Sequence, residues 1–280
     1  MTIIADSGST KTSWMEVESG NRAVTPGLNP HFTSDEEFLA SFDMVGRQLV
    51  GSQSHPSVFF YGAGCGSGVQ RERVTALLRQ AFETDRVTVE TDMLGACRAV
   101  CAGGEPALVG ILGTGSNACY YDGNEIQRCA VSTGYILGDE GSANHVGRRM
   151  LQDYLTGKMP AAMASLFREE HPLTRDQFLD AVYHHPNANR FLASLAQSAV
   201  KNIDNDYCAT VILTSLELWY RYQLGPLQEE TCCGVLSLVG GFAAHIKPLV
   251  AIVAKKYNLE LNRVVADPIE GLRDYYIRKF

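Results

Sequence analysis

The first twelve residues bring together a carboxylate, several hydroxyl groups and a glycine. Ile3–Ala5 is a short apolar run typical of a buried strand, and Asp6 stands at its end. The turn that follows can bind an anion through backbone N–H groups, hydroxyl groups and one positive charge, supplied by Gly8, Ser9, Thr10, Lys11 and Thr12. This turn predicts phosphate binding, and Asp6 could hold the Mg²⁺ that accompanies a nucleoside triphosphate. An ordinary hairpin is the alternative, because the apolar run Ser13–Val17 follows directly.

A second turn of the same kind follows the apolar run Ala107–Leu112, and the strand-like stretch Ala118–Tyr121 comes after it. Its residues are Gly113, Thr114, Gly115, Ser116 and Asn117. Neither turn has the spacing of a Walker phosphate loop or of a dinucleotide-binding glycine motif. Two such loops on facing domains could hold both the terminal phosphates of a triphosphate and the hydroxyl group that receives one.

Further carboxylates could act on the acceptor. Asp92 follows the predicted strand Val87–Glu90, at the end where α/β sheets bind ligands, and could serve as a general base. It also begins a predicted helix, whose dipole should keep it ionised, and a simple N-cap is the alternative. Asp139 and Glu140 lie between two glycines and could accept hydrogen bonds from sugar hydroxyls, or form a capping turn before a helix at Ser142.

Two loops could complete a ligand site. Gly240 and Gly241 follow the apolar run Val235–Val239, and the absence of side chains there would let a flat base stack on the backbone. A tight connection between a strand and a helix would need the same glycines. Asn29 follows the predicted strand Arg22–Thr25, and an Asn-Pro step is also a common start of a turn.

Six segments occur in an order that resembles the sugar kinase, heat-shock protein and actin superfamily of ATPases, and within it the branch of N-acetylglucosamine kinases and BadF/BadG/BcrA/BcrD ATPases. The segments are DSGSTKT (6–12), TDMLGA (91–96), GTGSNA (113–118), GYILGDEGSA (134–143), LVGGFAAHI (238–246) and DPIEGL (267–272). The resemblance covers nearly the whole chain. The GDEGSA block is particular to this branch of the superfamily.

This resemblance implies a role for each segment. It implies Asp92 as the catalytic base and Asp6 as the residue that holds Mg²⁺. It implies that ATP is bound by the two phosphate loops and by Gly240 and Gly241. The residues implied to contact the sugar are Asn29, Asp92, Asn117, Gly134, Tyr135 and Asp139.

The fold implied is α/β, with duplicated ribonuclease H-like (actin-like ATPase) domains, each a mixed five-stranded sheet flanked by helices, and a cleft between the domains. Hydrophobic periodicity predicts three strands, a helix, a strand, a helix and a strand in the first half. The order restarts at Ala107 with strands through Val131, and a strand at Val235–Val239 and helices at 241–257 and 267–279 complete the second half. We expect an N-terminal domain at 1–104 and a C-terminal domain at 105–266, with a helical insertion at about 142–222. The helix at 267–280 is expected to pack back on the first domain, and Gly103-Gly104 is a natural hinge.

Composition excludes several classes of protein. A net charge of −7 without a cluster of Lys and Arg argues against nucleic acid or an anionic membrane as partner. No apolar run approaches the length of a membrane span, and the N-terminus lacks the basic and then apolar order of a secretion signal, so a cytoplasmic location is expected. The eight cysteines show no pair of CxxC units and are expected to be small buried hydrophobes in a reducing compartment.

These observations predict an ATP-dependent kinase that phosphorylates the primary hydroxyl of an amino sugar, N-acetylglucosamine or a close relative, with ATP and Mg²⁺ as cofactors and a homodimer as the assembly. Two alternatives remain. One is a BadF-type ATPase that activates a 2-hydroxyacyl-CoA dehydratase or a benzoyl-CoA reductase. The other is a sugar-responsive, nucleotide-binding regulator.

Overall fold

The computed structural model describes residues 1–51 and 55–279, which form ten strands, thirteen α-helices and two π-helical turns. The strands are β1 (Thr2–Ser7), β2 (Lys11–Glu16), β3 (Arg22–Pro26), β4 (Ser57–Gly62), β5 (Val87–Thr91), β6 (Ala107–Leu112), β7 (Ser116–Tyr121), β8 (Ile126–Cys129), β9 (Val235–Val239) and β10 (Glu260–Val265). The helices are α1 (Asp35–Val45), α2 (Gly68–Phe82), α3 (Asp92–Val100), α4 (Gly134–Leu137), α5 (Ala143–Leu155), α6 (Ala161–Glu170), α7 (Arg175–Tyr183), α8 (Ala188–Lys201), α9 (Asp206–Trp219), α10 (Gly225–Thr231), α11 (Gly241–His245), α12 (Lys247–Lys256) and α13 (Ile269–Lys279). The π-helical turns are Gly46–Val50 and Tyr220–Leu224.

The first sheet has the strand order β3-β2-β1-β4-β5. β1 to β3 form an antiparallel meander, while β4 and β5 run parallel to β1. In this register Ser7 lies beside Gly62, and Gly62 lies beside Thr91. The ends of β1 and β5 therefore meet at the same edge of the sheet, which is where Asp6 and Asp92 lie.

The second sheet repeats the arrangement in the order β8-β7-β6-β9-β10. β6 pairs antiparallel with β7 and parallel with β9, and β10 is parallel to β9. The central strand β6 is almost wholly buried, because both of its faces are covered. The two five-stranded mixed sheets with flanking helices confirm the predicted α/β fold.

The chain divides into two compact units. One comprises Met1–Glu105, Asp122–Ile126 and Asp267–Phe280, and the other comprises Pro106–Tyr121 and Gln127–Ala266. Within the first unit α13 packs against α3 so closely that a Cβ at Gly271 would lie 2.2 Å from the backbone oxygen of Ala99. Glycine is required at that crossing.

Trp219 of α9 is 2 % exposed and packs against Gly110 of β6 in the core of the second unit. Pro160, Pro172 and Pro186 lie between helices, as their lack of an N–H group predicts. Three elements were absent from the predicted order, namely the short helix α4, the helix α10 and the edge strand β10. The predicted continuous helix 241–257 is wrong, because it breaks at Ile246 before Pro248 into α11 and α12. Among the described residues, no helix is long and apolar enough to cross a membrane.

Candidate active site

The first glycine-containing loop connects β1 to β2 and is held in place by its neighbours. The N–H of Gly8 donates to the carbonyl of Lys11 at 3.0 Å, which closes the turn. The segment after β3 packs directly on this turn: a Cβ at Gly27 would lie 2.5 Å from the backbone of Gly8 and Ser9. Gly27 therefore has to be glycine, a requirement that sequence reasoning missed.

Ser7 ties the loop to the segment that carries Asn29. Its buried hydroxyl lies 2.8 Å from the hydroxyl of Thr12, and it accepts a hydrogen bond from the N–H of Leu28 at 3.1 Å. The side chain of Asn29 accepts a hydrogen bond from the N–H of His31 at 3.0 Å, which makes an Asn-Pro turn beside the loop. Asn29 is thus a turn former that lies next to the first loop, and both interpretations of this residue are compatible with its position.

Three carboxylates influence one another at this edge of the first sheet. Burial, together with the neighbouring charges of Asp92 and Asp267, raises the pKa of Asp6 to about 8, while Lys11 opposes the shift. A divalent cation would relieve this repulsion, so the residues present fit Mg²⁺ held mainly by Asp6. Mg²⁺ commonly takes one or two protein carboxylates and completes its shell with phosphate and water. Among residues 1–51 and 55–279, no group of three or more His, Cys, Asp or Glu could enclose a metal ion.

Asp92 is the first residue of α3, and its environment differs from the prediction. The N-cap is Thr91, whose hydroxyl accepts from the N–H of Leu94, so the alternative of Asp92 as the cap is wrong. Asp92 Oδ1 accepts from the N–H of Met93 at 2.9 Å. Burial outweighs this contact and raises the pKa of Asp92, which corrects the expectation that the helix dipole controls its ionisation.

Lys11 does not stand free beside the loop. Its Nζ lies 2.6 Å from Asp267 Oδ2, which also accepts from the hydroxyl of Ser13 at 2.9 Å. These donors lower the pKa of Asp267 despite its partial burial. Asp267 precedes α13 within the DPIEGL segment, and sequence reasoning assigned it no role of its own. Its acidic side chain just before a Pro and a helix was the signal in the sequence.

The second glycine-containing loop connects β6 to β7. The N–H of Gly113 donates to the carbonyl of Gly115 at 2.9 Å, which closes this turn. The hydroxyl of Ser116 donates to the carbonyl of Glu140 at 2.7 Å, so it holds in place the turn at 139–141, called the acidic turn below. Asn117 accepts from the N–H of Ala118 at 2.8 Å.

Asp139 lies against this loop in a strained backbone conformation, with a φ of +57°. A Cβ at Gly115 would lie 2.8 Å from Asp139 Oδ2, so the loop needs glycine there to admit the carboxylate. Burial raises the pKa of Asp139, although a hydrogen bond from Asn144 opposes the shift.

The far end of the acidic turn is anchored by Ser215. Its hydroxyl accepts from the N–H of Gly141 at 2.9 Å and lies 2.8 Å from Nδ1 of His145. Burial lowers the pKa of His145 to about 4, so the neutral ring can accept the proton of Ser215. The turn is therefore fixed at both ends by buried hydrogen bonds.

Gly134 and Tyr135 begin the single-turn helix α4, which precedes Asp139. Gly134 has a φ of +72°, a conformation that favours glycine. Nη1 of Arg148 donates to the carbonyls of Tyr135 and Ile136, each at 2.9 Å, and so fastens this turn to α5.

Gly240 and Gly241 differ in their surroundings. A Cβ at Gly240 would lie 2.3 Å from the carbonyl oxygen of Leu112, and its φ is +129°, so glycine is required by the packing of β9 on β6. A Cβ at Gly241 would meet nothing within 4 Å. The start of α11 thus leaves the space that a flat ligand would need.

Cys97 and Cys101 are buried in and after α3, as expected for small hydrophobes. The exposed cysteines of the described residues are Cys129 and Cys232, which correct the expectation that all eight would be buried.

Comparison with protein-family models and with curated protein sequences finds no match. Comparison with solved structures finds a putative N-acetylglucosamine kinase from Porphyromonas gingivalis, with 34% identity, 99% of both chains covered and a TM-score of 0.91. A putative N-acetylglucosamine kinase from Chromobacterium violaceum matches with 16% identity over 98% of this chain and 99% of that chain, and a TM-score of 0.70. A ROK family glucokinase from Streptomyces griseus, solved with glucose and AMPPNP, matches with 15% identity over 100% and 99% of the chains, and a TM-score of 0.60. The last two similarities concern the fold alone.

Proposed function

The chain belongs to the family of N-acetylglucosamine kinases and BadF/BadG/BcrA/BcrD ATPases, within the sugar kinase, heat-shock protein and actin superfamily, and from this premise we propose that it transfers the terminal phosphoryl group of ATP to the primary hydroxyl of an amino sugar. N-acetylglucosamine is the first candidate acceptor, since the similar protein from P. gingivalis is named a putative N-acetylglucosamine kinase.

The observation that carries this proposal is the grouping of Asp6 and Asp92 beside the first loop. Both stand at the ends of parallel strands of one sheet, and the charge of Asp92 raises the pKa of Asp6. A phosphoryl transfer enzyme needs one carboxylate for the metal and another for the attacking hydroxyl. The two residues supply both.

Asp92 is proposed to accept the proton of the sugar hydroxyl. Its pKa is raised by burial, which makes the ionised carboxylate a stronger base than an exposed aspartate. Its contact with the N–H of Met93 fixes one carboxylate oxygen, and the other is left for the acceptor. The reaction therefore needs no further base.

We propose that the loop of Gly8 to Thr12 and the loop of Gly113 to Ser116 each bind phosphates of ATP, and that Gly241 lies beside the adenosine. The sugar hydroxyls are assigned to Asn29, Asn117, Gly134, Tyr135 and Asp139. Bound Mg²⁺ would supply positive charge that neutralises the phosphate oxygens. To bind phosphate, Lys11 has either to leave Asp267 or to divide its three N–H donors between Asp267 and the phosphate.

Purified protein with Mg²⁺ and ATP, tested against a panel of amino sugars and neutral hexoses, should release ADP in proportion to the phosphorylated sugar formed. Asp92→Asn should lower the rate of transfer by about 10²- to 10⁴-fold and leave sugar binding measurable. Asp85→Asn is the matched control, because Asp85 is exposed in the turn just before β5 of the same unit.

ADP release that does not change across the panel would refute the proposal. ATP hydrolysis of that kind, together with an iron–sulfur chromophore, would favour the activator of a dehydratase or reductase instead.

A further inference from the structure

Asn144 connects the second phosphate loop to the acidic turn. Its side chain is fully buried near the start of α5, and its Nδ2 donates to the carbonyl of Thr114 at 2.6 Å and to Oδ2 of Asp139 at 2.8 Å. Its backbone N–H donates to the same carbonyl of Thr114 at 3.1 Å. One residue thus touches both the loop assigned to ATP and the carboxylate assigned to the sugar.

The orientation of the amide follows from its partners. A carbonyl and a carboxylate are both acceptors, so the atom that faces them has to be the nitrogen. Oδ1 has no hydrogen-bond partner within the described part of the chain. A buried acceptor without a partner costs free energy, and a residue such as Leu would avoid that cost. Asparagine at this position is therefore explained by its two donated hydrogen bonds and not by packing.

The hydrogen bond from Asn144 also affects the orientation and the pKa of Asp139. This carboxylate is partly desolvated and held at a positive φ, and it accepts hydrogen bonds from the side chain of Asn144 and from the backbone N–H of Ser116. Arg148 is the cation that stabilises its charge, and Asn144 supplies the main hydrogen bond that does so. A shift of the loop at Thr114 would move Asn144 and with it the carboxylate.

We propose that Asn144 is a positioning residue that couples the ATP site to the sugar site, so that each ligand binds more tightly when the other is present. The inference rests on the proposed function, since it assumes that Asp139 contacts the sugar and that the Thr114 loop contacts ATP. The coupling runs through two hydrogen bonds within one unit. Couplings between ligand sites commonly change affinity by about 5- to 150-fold.

The test compares sugar affinity with and without nucleotide. The dissociation constant of the best sugar of the panel is measured by calorimetry with and without a saturating non-hydrolysable ATP analogue and Mg²⁺. In the unmodified protein the analogue should tighten sugar binding at least about fivefold. In Asn144→Ala this factor should fall to about one, with sugar KM raised more than kcat is lowered.

Two further variants separate positioning from folding. Asn202→Ala removes another asparagine of the second unit, whose Nδ2 donates to the carbonyl of Ser198 at 2.9 Å, and it should leave the coupling unchanged. Asn144→Asp has nearly the same size, and only its protonated carboxyl can donate to Asp139. That single O–H restores the contact with Asp139, and the backbone N–H of residue 144 still donates to the carbonyl of Thr114. Its coupling should therefore recover in part as the pH is lowered, whereas a purely structural defect would be the same at every pH.

Each result has a distinct meaning. If the unmodified protein phosphorylates a sugar but the analogue does not change its affinity, the inference is wrong and the proposed function stands. The same holds if Asn144→Asp stays folded and retains the full coupling at neutral pH. If no sugar is phosphorylated, the proposed function fails, and the inference fails with it.

Discussion

The titration of Asp6 gives the most direct quantitative prediction. Its pKa of about 8 means that the carboxyl is about nine-tenths protonated at pH 7 and about one-tenth protonated at pH 9. A carboxylate has to lose its proton before it can hold a divalent cation. Binding of a Mg²⁺–nucleotide complex should therefore release about 0.9 proton at pH 7 and about 0.1 proton at pH 9, whereas an ordinary aspartate would release almost none.

Calorimetry measures this release. Binding of the preformed Mg²⁺ complex of a non-hydrolysable ATP analogue is titrated in two buffers with different enthalpies of protonation, and the difference in heat gives the number of protons. Asp6→Asn should abolish the release. Asp43→Asn removes an exposed carboxylate that pairs with Arg47 on α1 and should leave the release unchanged.

A third variant tests the cause of the shift. Asp267→Asn removes a like charge near Asp6 and frees Lys11, and both changes lower the pKa of Asp6. The release at pH 7 should then fall below that of the unmodified protein. A release below about 0.2 proton at pH 7 in the unmodified protein, or an equal release in Asp6→Asn, would refute this reasoning.

The same shift affects the stability of the protein without nucleotide. Asp6 binds its proton more tightly in the folded state, where its pKa is about 8, than in the unfolded state, where it is 3.8. Its contribution to the free energy of unfolding is therefore full below pH 3.8 and is lost as the pH rises through about 8. The melting temperature should decrease between pH 6 and pH 8 more steeply than in Asp6→Asn, as thermal denaturation would detect.

Three further substitutions have expected outcomes. Asp92→Asn should lower kcat by about 10²- to 10⁴-fold in steady-state assays and leave the dissociation constant of the sugar within about twofold. Gly115→Ala would place a Cβ 2.8 Å from Asp139 Oδ2, and kcat/KM for the sugar should fall roughly 10- to 100-fold. Gly110→Ala would place a Cβ 2.6 Å from the ring of Trp219 in the core of the second unit, and urea unfolding should show a loss of about 1–3 kcal/mol.

Gly46→Ala is the common control for the two glycine variants, because a Cβ there would meet nothing within 4 Å and its φ is −55°. It should change neither activity nor stability by a comparable amount. Unaltered urea unfolding of Gly110→Ala would contradict the packing of Trp219, and unaltered sugar kinetics of Gly115→Ala would contradict the role of Asp139.

Local patterns predicted the elements that carry continuous apolar residues. β1 and β6 were visible as short buried runs, and the polar turns after them marked two glycine-containing loops. β10 was not visible, because an edge strand has fewer buried positions and its sequence, ELNRVV, alternates polar and apolar residues only in part. The short helix α10 directly follows a π-helical turn and has Pro226 in its first turn, whereas a Gly-Pro pair in a sequence usually marks the end of a helical pattern.

Local sequence patterns could not predict contacts between residues that are far apart along the chain. Lys11 and Asp267 are 256 positions apart, and their ion pair depends on the packing of α13 in the first unit. Asn144 and Thr114 are 30 positions apart, and no periodicity relates them. The requirement for glycine at position 27 also arises from a distant segment, because a Cβ there would collide with the backbone of Gly8.

The sequence by itself determined which residue types stand at the ends of which strands, since strand periodicity and turn composition are local properties. It thereby placed Asp6, Asp92 and both glycine-containing loops. Only the tertiary structure decided the ionisation of these carboxylates and the partners that hold them. A pKa depends on burial and on nearby charges, and both are set by segments that are far apart along the chain.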